Sequence, residues 1–214
     1  MRYATWLLMM VVALPVWAQF EGRDLKETKF NKCDLTRASF TDCVFEKASV
    51  RGARGDEMSV ESSELPGLSL RQVKLPGLLA SEAELKQAKF ERGLLDGSQF
   101  TGVSLKDLTF ERCEAQEQTW KSSDLRGSRF ERCEFRDSRF ENCEMPYLRL
   151  DWCEMDEARL NSCDLDGTRF DRGSMRGAYF WGTDLSNVRL EGCNIRGMTI
   201  NGVDVEELLR RAGR

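Results

Sequence analysis

From Phe20 to Val205 every fifth residue is apolar, at 37 of 38 positions, where a chain of 41% hydrophobic content would give about 16 by chance. The exception is Gly55, and all twelve phenylalanines of the chain sit on this lattice. Two residues before a lattice position the side chain is usually small, as at Ala38, Cys43, Ala48, Ser128 and Cys133. Two residues after it glycine is favoured, and 13 of the 17 glycines fall there.

A period of five fits neither regular element. On a helix it would drift by about 140° per step and smear the apolar residues around every side. On a single strand it would send successive large residues to opposite faces. A chain that turns after each short strand satisfies it, with glycine easing the turn and one large and one small side chain directed inward per step. Four steps close a square coil of twenty residues. Stacked at about 4.8 Å, about nine such coils make a tower roughly 45 Å long. The expected fold is therefore all-β, a quadrilateral β-helix spanning residues 19–205. Residues twenty apart lie above one another, so Phe90, Phe110, Phe130 and Phe170 share one inner side and Leu105, Leu125, Leu165 and Leu185 another.

Two stretches bend the pattern. Between residues 51 and 80 Gly55 lacks a core side chain, while Met58, Leu68 and Leu78 overfill small positions and Pro66 and Pro76 mark turns. Gln118, two residues before Trp120, is expected to be a buried polar group in need of a partner. From Asp204 to Arg210, acids precede bases in the order of a short capped helix, expected to cover the end of the tower within a terminal segment 206–214.

The first eighteen residues stand outside the lattice. Arg2 precedes an eleven-residue apolar run, Ala4 to Leu14, then Pro15 and Val16-Trp17-Ala18. This is the layout of a secretory signal peptide cleaved after Ala18, too short to span a membrane as a helix. The protein is expected to be exported, to the periplasm of a Gram-negative cell or to the medium, and the mature chain carries no transmembrane segment.

The segments CDLTRASFTDC, SDLRGSRFERCEF and TDLSNVRLEGCNIRG resemble the pentapeptide-repeat family over about residues 20–205. The resemblance implies a right-handed quadrilateral β-helix, in agreement with the coil inferred from the period. It implies little about activity, because members do different things on one scaffold. Well-characterised members resemble DNA in shape and charge and bind DNA gyrase; those are cytosolic and lack a signal sequence.

Composition narrows the chemistry. The chain of 214 residues has no histidine and a formal charge of −4. Without its leader it holds 31 basic and 36 acidic residues, hence −5. An acidic chain is a poor phosphate binder, and direct nucleic-acid binding is not expected. Carboxylates recur at every step, which marks scaffold rather than an acid/base pair, and no catalytic group, metal ligand set or cofactor is expected. All eight cysteines occupy the small inward position, where they are expected as free buried thiols; ladder disulfides are the alternative in an oxidising compartment.

The residue before the lattice alternates acid and base over 124–169. Asp124, Glu144, Asp164 and Asp184 then form an acidic docking strip or, more plainly, solvate and cap turns. Arg129, Arg149, Arg169 and Arg189 form a zwitterionic face with acids two residues on. Tyr179 and Trp181 flank Phe180 above Arg159 and Arg139, and this quartet is the expected partner contact; Tyr147 and Trp152 lie near the opposite face. The leading functional expectation is a non-catalytic exported scaffold that binds protein, with a homodimer through a tower end as its self-association. The alternative, if the N-terminus is not a leader, is a DNA mimic that inhibits or protects gyrase.

Overall fold

The structure, a computed structural model, describes residues 18–213. The expected signal peptide, but for Ala18, lies outside the described residues. The chain forms a parallel-strand solenoid of about nine coils with one short helix at its C-terminal end. One sheet stacks three-residue strands beginning at Gln19–Glu21 and recurring every twenty residues to Tyr179–Trp181. The facing sheet does the same from Lys29–Asn31 to Arg189–Glu191. The other two sides of the square are single-residue parallel bridges, such as Asp124↔Glu144 and Glu134↔Glu154. Register is twenty throughout, with Phe110 over Phe90 and under Phe130.

The corners explain the glycine preference. Each side ends two residues after a lattice position with a backbone in the left-handed region, as at Gly127 (φ 68°) and Gly167 (φ 65°). Glycine adopts this without steric cost. Among the described residues twenty-five non-glycine residues adopt it as well, most of them polar. At Pro66-Gly67 and Pro76-Gly77 proline precedes the left-handed residue, the sequence order of a type II turn. Residues 51–80 accordingly keep the common register without a break.

Inside, large and small side chains interlock. Phe90 and Phe110 stack at 4.6 Å, Phe110 meets Phe130 edge-on at 5.4 Å, and Trp120 stacks on Phe100 at 4.0 Å. Each such fully buried side chain contributes about 1.5–3 kcal/mol by leaving water. Small polar residues perform a second task. Ser128 Oγ donates to the Leu105 carbonyl one coil away at 2.9 Å, and Thr168 Oγ1 to Met145 at 2.7 Å.

Two expectations for the interior need correction. Gly55 does not mark a missing side chain, because a Cβ there would stand 2.6 Å from the Leu35 carbonyl carbon and 2.8 Å from its oxygen. The backbones approach too closely for any other residue. Met58 and Leu78 do not overfill their positions either. They accompany the undersized lattice residues Val60 and Ala80, and an apolar cavity of about 30 Å³ still remains among them.

The helix runs Val205–Arg211, with Asp204 as N-cap accepting from Glu207 N at 2.8 Å. It does not seal the tower. None of its residues is buried, Leu208 is 56% exposed, and Leu190 and Val203 of the last coil also face solvent. No helix among the described residues is long and apolar enough to cross a membrane.

Candidate interaction surfaces

The eight cysteines are free; seven are buried and Cys193 is partly so. Their thiols take the place of the serines, pointing at two carbonyls. Cys143 Sγ lies 3.4 Å from both the Trp120 and Glu141 oxygens, as Ser123 Oγ lies 3.3 Å from Phe100 O and 3.0 Å from Lys121 O. Burial pushes the Cys33 and Cys133 thiols up, and a hydrogen bond with Cys133 together with burial raises Cys113. In the Cys143–Cys163 pair the hydrogen bond from Cys163 makes Cys143 the first to ionise, while Cys163 is pushed up. A buried thiol held protonated is a poor nucleophile. No group of three or more potential metal ligands is found among the described residues.

The acidic strip forms in register, since Asp124, Glu144, Asp164 and Asp184 bridge one another coil by coil. Its lower half is neutralised. Arg126 reaches Asp124 at 2.8 Å and Glu144 at 3.1 Å, and Lys106 reaches Asp124 at 3.2 Å. Partial burial pushes Asp124 up, but hydrogen bonds from Arg126 and Lys106 outweigh it and hold the carboxyl below its ordinary range. The upper half caps turns: Asp164 accepts from Asp166 N at 2.9 Å and Asp184 from Ser186 N at 2.8 Å. The Ser186 bonds lower the Asp184 pKa. These carboxylates are committed to local backbone.

The aromatic–arginine quartet also assembles. Arg139, Arg159 and Tyr179 are consecutive partners on three adjacent strands. Tyr179 and Trp181 stack at 6.2 Å with an interplanar angle of 8°, and Trp181 is 52% exposed. Among the described residues neither Arg139 nor Arg159 forms an ion pair, although most arginines between 126 and 176 do.

A second surface on the opposite sheet is larger than the separate positions of its residues suggested. Tyr147 and Trp152 occupy the two corners beside strand Arg149–Asp151 and flank an open groove of about 590 Å³. Both hold left-handed backbone, at φ 60° and 58°. For bulky residues this is uncommon and costs about 1–2 kcal/mol each. The Tyr147 ring lies over Gly167, where a Cβ would come within 2.7 Å of it. Arg172 stacks 4.9 Å from the Trp152 ring centroid and is itself fixed to Asp171 by two bonds of 3.1 Å. Sequence spacing placed the aromatics near this face; only the coil geometry shows Gly167 and Arg172 building a wall around each.

The pattern has known counterparts. A family model for the pentapeptide repeat region matches residues 98–167 and 119–200, and a model for pentapeptide repeats (8 copies) matches residues 18–54. No curated protein sequence matches the chain. A trypsin-treated form of QnrB1, a plasmid-mediated fluoroquinolone resistance protein, is similar in fold, with a TM-score of 0.50 at 14% identity over 92% of this chain and 97% of that one. HetL, a pentapeptide repeat protein involved in heterocyst differentiation regulation from the cyanobacterium Nostoc sp. strain PCC 7120, aligns with a TM-score of 0.37 and 17% identity over 85% of this chain and 91% of that one. Identities this low speak to fold alone. With its repeat matched by two models of the same family and its coils carrying that repeat unbroken, the chain belongs to the pentapeptide-repeat family.

Proposed function

We propose that the protein is a non-catalytic, exported scaffold that binds a protein partner through the surface around Tyr179, Trp181, Arg159 and Arg139. The observation that carries this reading is the stacked aromatic pair, with Trp181 half-exposed and Tyr179 in column with two arginines that form no ion pair among the described residues. Charge-capped turns recur at every coil and offer a partner many equivalent registers, whereas this pair occurs once and fixes one docking position. Buried aromatic and arginine anchors supply most of the energy of protein interfaces, about 2 kcal/mol or more each. Affinity capture from an envelope fraction, compared between wild type and Tyr179→Ala with Trp181→Ala, tests it. The captured partner should be lost with the aromatic variant and kept with Asp164→Asn and Asp184→Asn. The reverse pattern would move the site to the acidic strip.

Export rests on the N-terminal eighteen residues, and N-terminal sequencing of the exported protein should begin at Gln19. Retention of Met1 would sink that part of the reading. A DNA mimic is less well supported, because both sheets display columns of arginine rather than a continuous anionic surface. The exposed Leu190, Val203 and Leu208 at the incompletely roofed end support a homodimer through that end. Sedimentation of wild type against Leu208→Asp checks it, and an unshifted monomer in both would count against the contact.

A further inference from the structure

We infer that the groove between Tyr147 and Trp152 is a second binding site, for an acidic peptide segment in extended conformation. It stands independently of the Tyr179–Trp181 surface, on the opposite sheet. Six arginines and three carboxylates line it, a net of +3 on a chain whose formal charge is −4. Its occupant should therefore be anionic.

The internal ion pairs specify the kind of anion. Arg129 contacts Glu131 at 3.1 Å and Asp151 at 3.3 Å, and Arg169 contacts Glu191 at 2.8 Å and Asp171 at 3.6 Å. Arg149 and Arg189 stand in the same column, in register with these two, yet among the described residues neither has an acidic partner. The local carboxylates are already taken by the alternate arginines. In this column two guanidinium groups two coils apart, about 10 Å, remain to be satisfied, and among the described residues the corner arginine Arg132, which also lines the groove, forms no ion pair either. Guanidinium groups bind carboxylates through paired hydrogen bonds, which this face already uses between Arg172 and Asp171.

That spacing separates a peptide from a polyphosphate chain. A continuous phosphate backbone would meet Glu131, Asp151 and Asp171 at every coil and be repelled. A polyproline II segment, with three residues per turn and a rise of about 3.1 Å, presents side chains at every third position on one side about 9 Å apart. Glutamates at that interval meet Arg149 and Arg189 and leave the intervening acids untouched. Tyr147 and Trp152, 64% and 51% exposed, flank the groove on either side of strand Arg149–Asp151. Apolar side chains between the glutamates would rest there.

The test uses a fluorescein-labelled peptide with glutamate at every third position and proline or phenylalanine between, and a control peptide with glutamine in place of glutamate. Fluorescence anisotropy should show salt-sensitive binding of the first to wild type and none of the second. Affinity should fall about tenfold or more in Arg149→Glu with Arg189→Glu, severalfold in the milder Arg149→Gln with Arg189→Gln, and severalfold in Trp152→Ala. Lys74→Glu with Lys121→Glu, both exposed and outside the groove, the latter on the other sheet, should leave it unchanged. Thermal melts confirm that each variant folds. Absence of binding by wild type, equal loss in the lysine variant, or equal binding of the glutamine peptide would overturn the proposal. So would polygalacturonate binding with the same arginine dependence while the peptide does not bind, which would assign the groove to an acidic saccharide.

Discussion

Gln118→Met should make the protein more stable, against the usual outcome of a core substitution. Gln118 is fully buried beside Trp120, at a position where its equivalents one coil away are Ser98 and Ser138. Its Nε2 donates to the Leu95 carbonyl at 3.2 Å, but its Oε1 and the neighbouring Trp120 Nε1 are both buried without a hydrogen-bond partner. Methionine is unbranched and close in size, so it fills the same space with little cavity or strain. The loss is one neutral hydrogen bond, about 1 kcal/mol. Leu95 O is not orphaned, because it keeps Ser98 Oγ at 2.6 Å and Ser98 N at 3.2 Å. The gain is relief of an unpaired buried acceptor, about 1–3 kcal/mol, together with the easier dehydration of a thioether. The net is about 1–2 kcal/mol in favour of the variant. For a chain of this length that corresponds to a rise in Tm of about 2–8 °C. Circular dichroism melts paired with guanidinium unfolding measure it, the slope with denaturant staying constant. A fall in Tm of similar size would refute the argument and show that Oε1 is satisfied, most simply by an internal water shared with the indole N–H.

Phe130→Asp should abolish folding, since it removes a ring packed 4.9 Å from Phe135 and inserts an unpaired charge, whereas Arg129→Ala on the exposed face should cost about 1 kcal/mol or less; equal melting temperatures for the two would invert the assignment of inside and outside. Partial burial raises the Asp156 pKa, but hydrogen bonds from Ser174 and Arg176, the latter at 2.9 Å, lower it below the ordinary carboxylate range. Its contribution is therefore present above about pH 4 and lost as pH falls through the depressed value, so an Asp156→Asn melt should be lower than wild type near neutrality and converge on it in acid; a constant gap at every pH would contradict the assignment. Native alkylation should label few or none of the eight thiols and denaturation should expose all of them; intact disulfides in the native protein would show that an oxidising compartment outweighs the ladder geometry.

The repeat made most of the architecture legible. Once Phe110 and Phe130 are placed twenty residues apart in one ladder, the sides of the square, the buried cysteines and the stacked arginines all follow from counting. Counting fails where two residues share a slot by exchanging volume, as Leu78 does with Ala80, because the period records position and not size. It fails also at Gly55, where the distance between two backbones, not the absence of a side chain, decides the residue. The Tyr179–Trp181 quartet was legible because its members fall on adjacent strands at matching positions. The Tyr147–Trp152 groove was not, because it depends on rotamers: which of four identical arginines takes the available carboxylates is settled by contacts between coils and leaves no trace in the period.

The twenty-residue register also sets how the molecule yields to force. Its inter-coil hydrogen bonds run along the tower axis, so traction on the two ends loads them one rung at a time and strips coils in succession, with no sheet sheared as a block. Each released coil of twenty residues adds about 68 Å of extended chain and removes about 4.8 Å of stack, giving steps of about 63 Å. The incompletely roofed C-terminal coil, with Leu190 already at the surface, is one end from which coils can be stripped. Read along its axis, the scaffold is a tether that lengthens in equal increments, its length under load recording how many coils have let go.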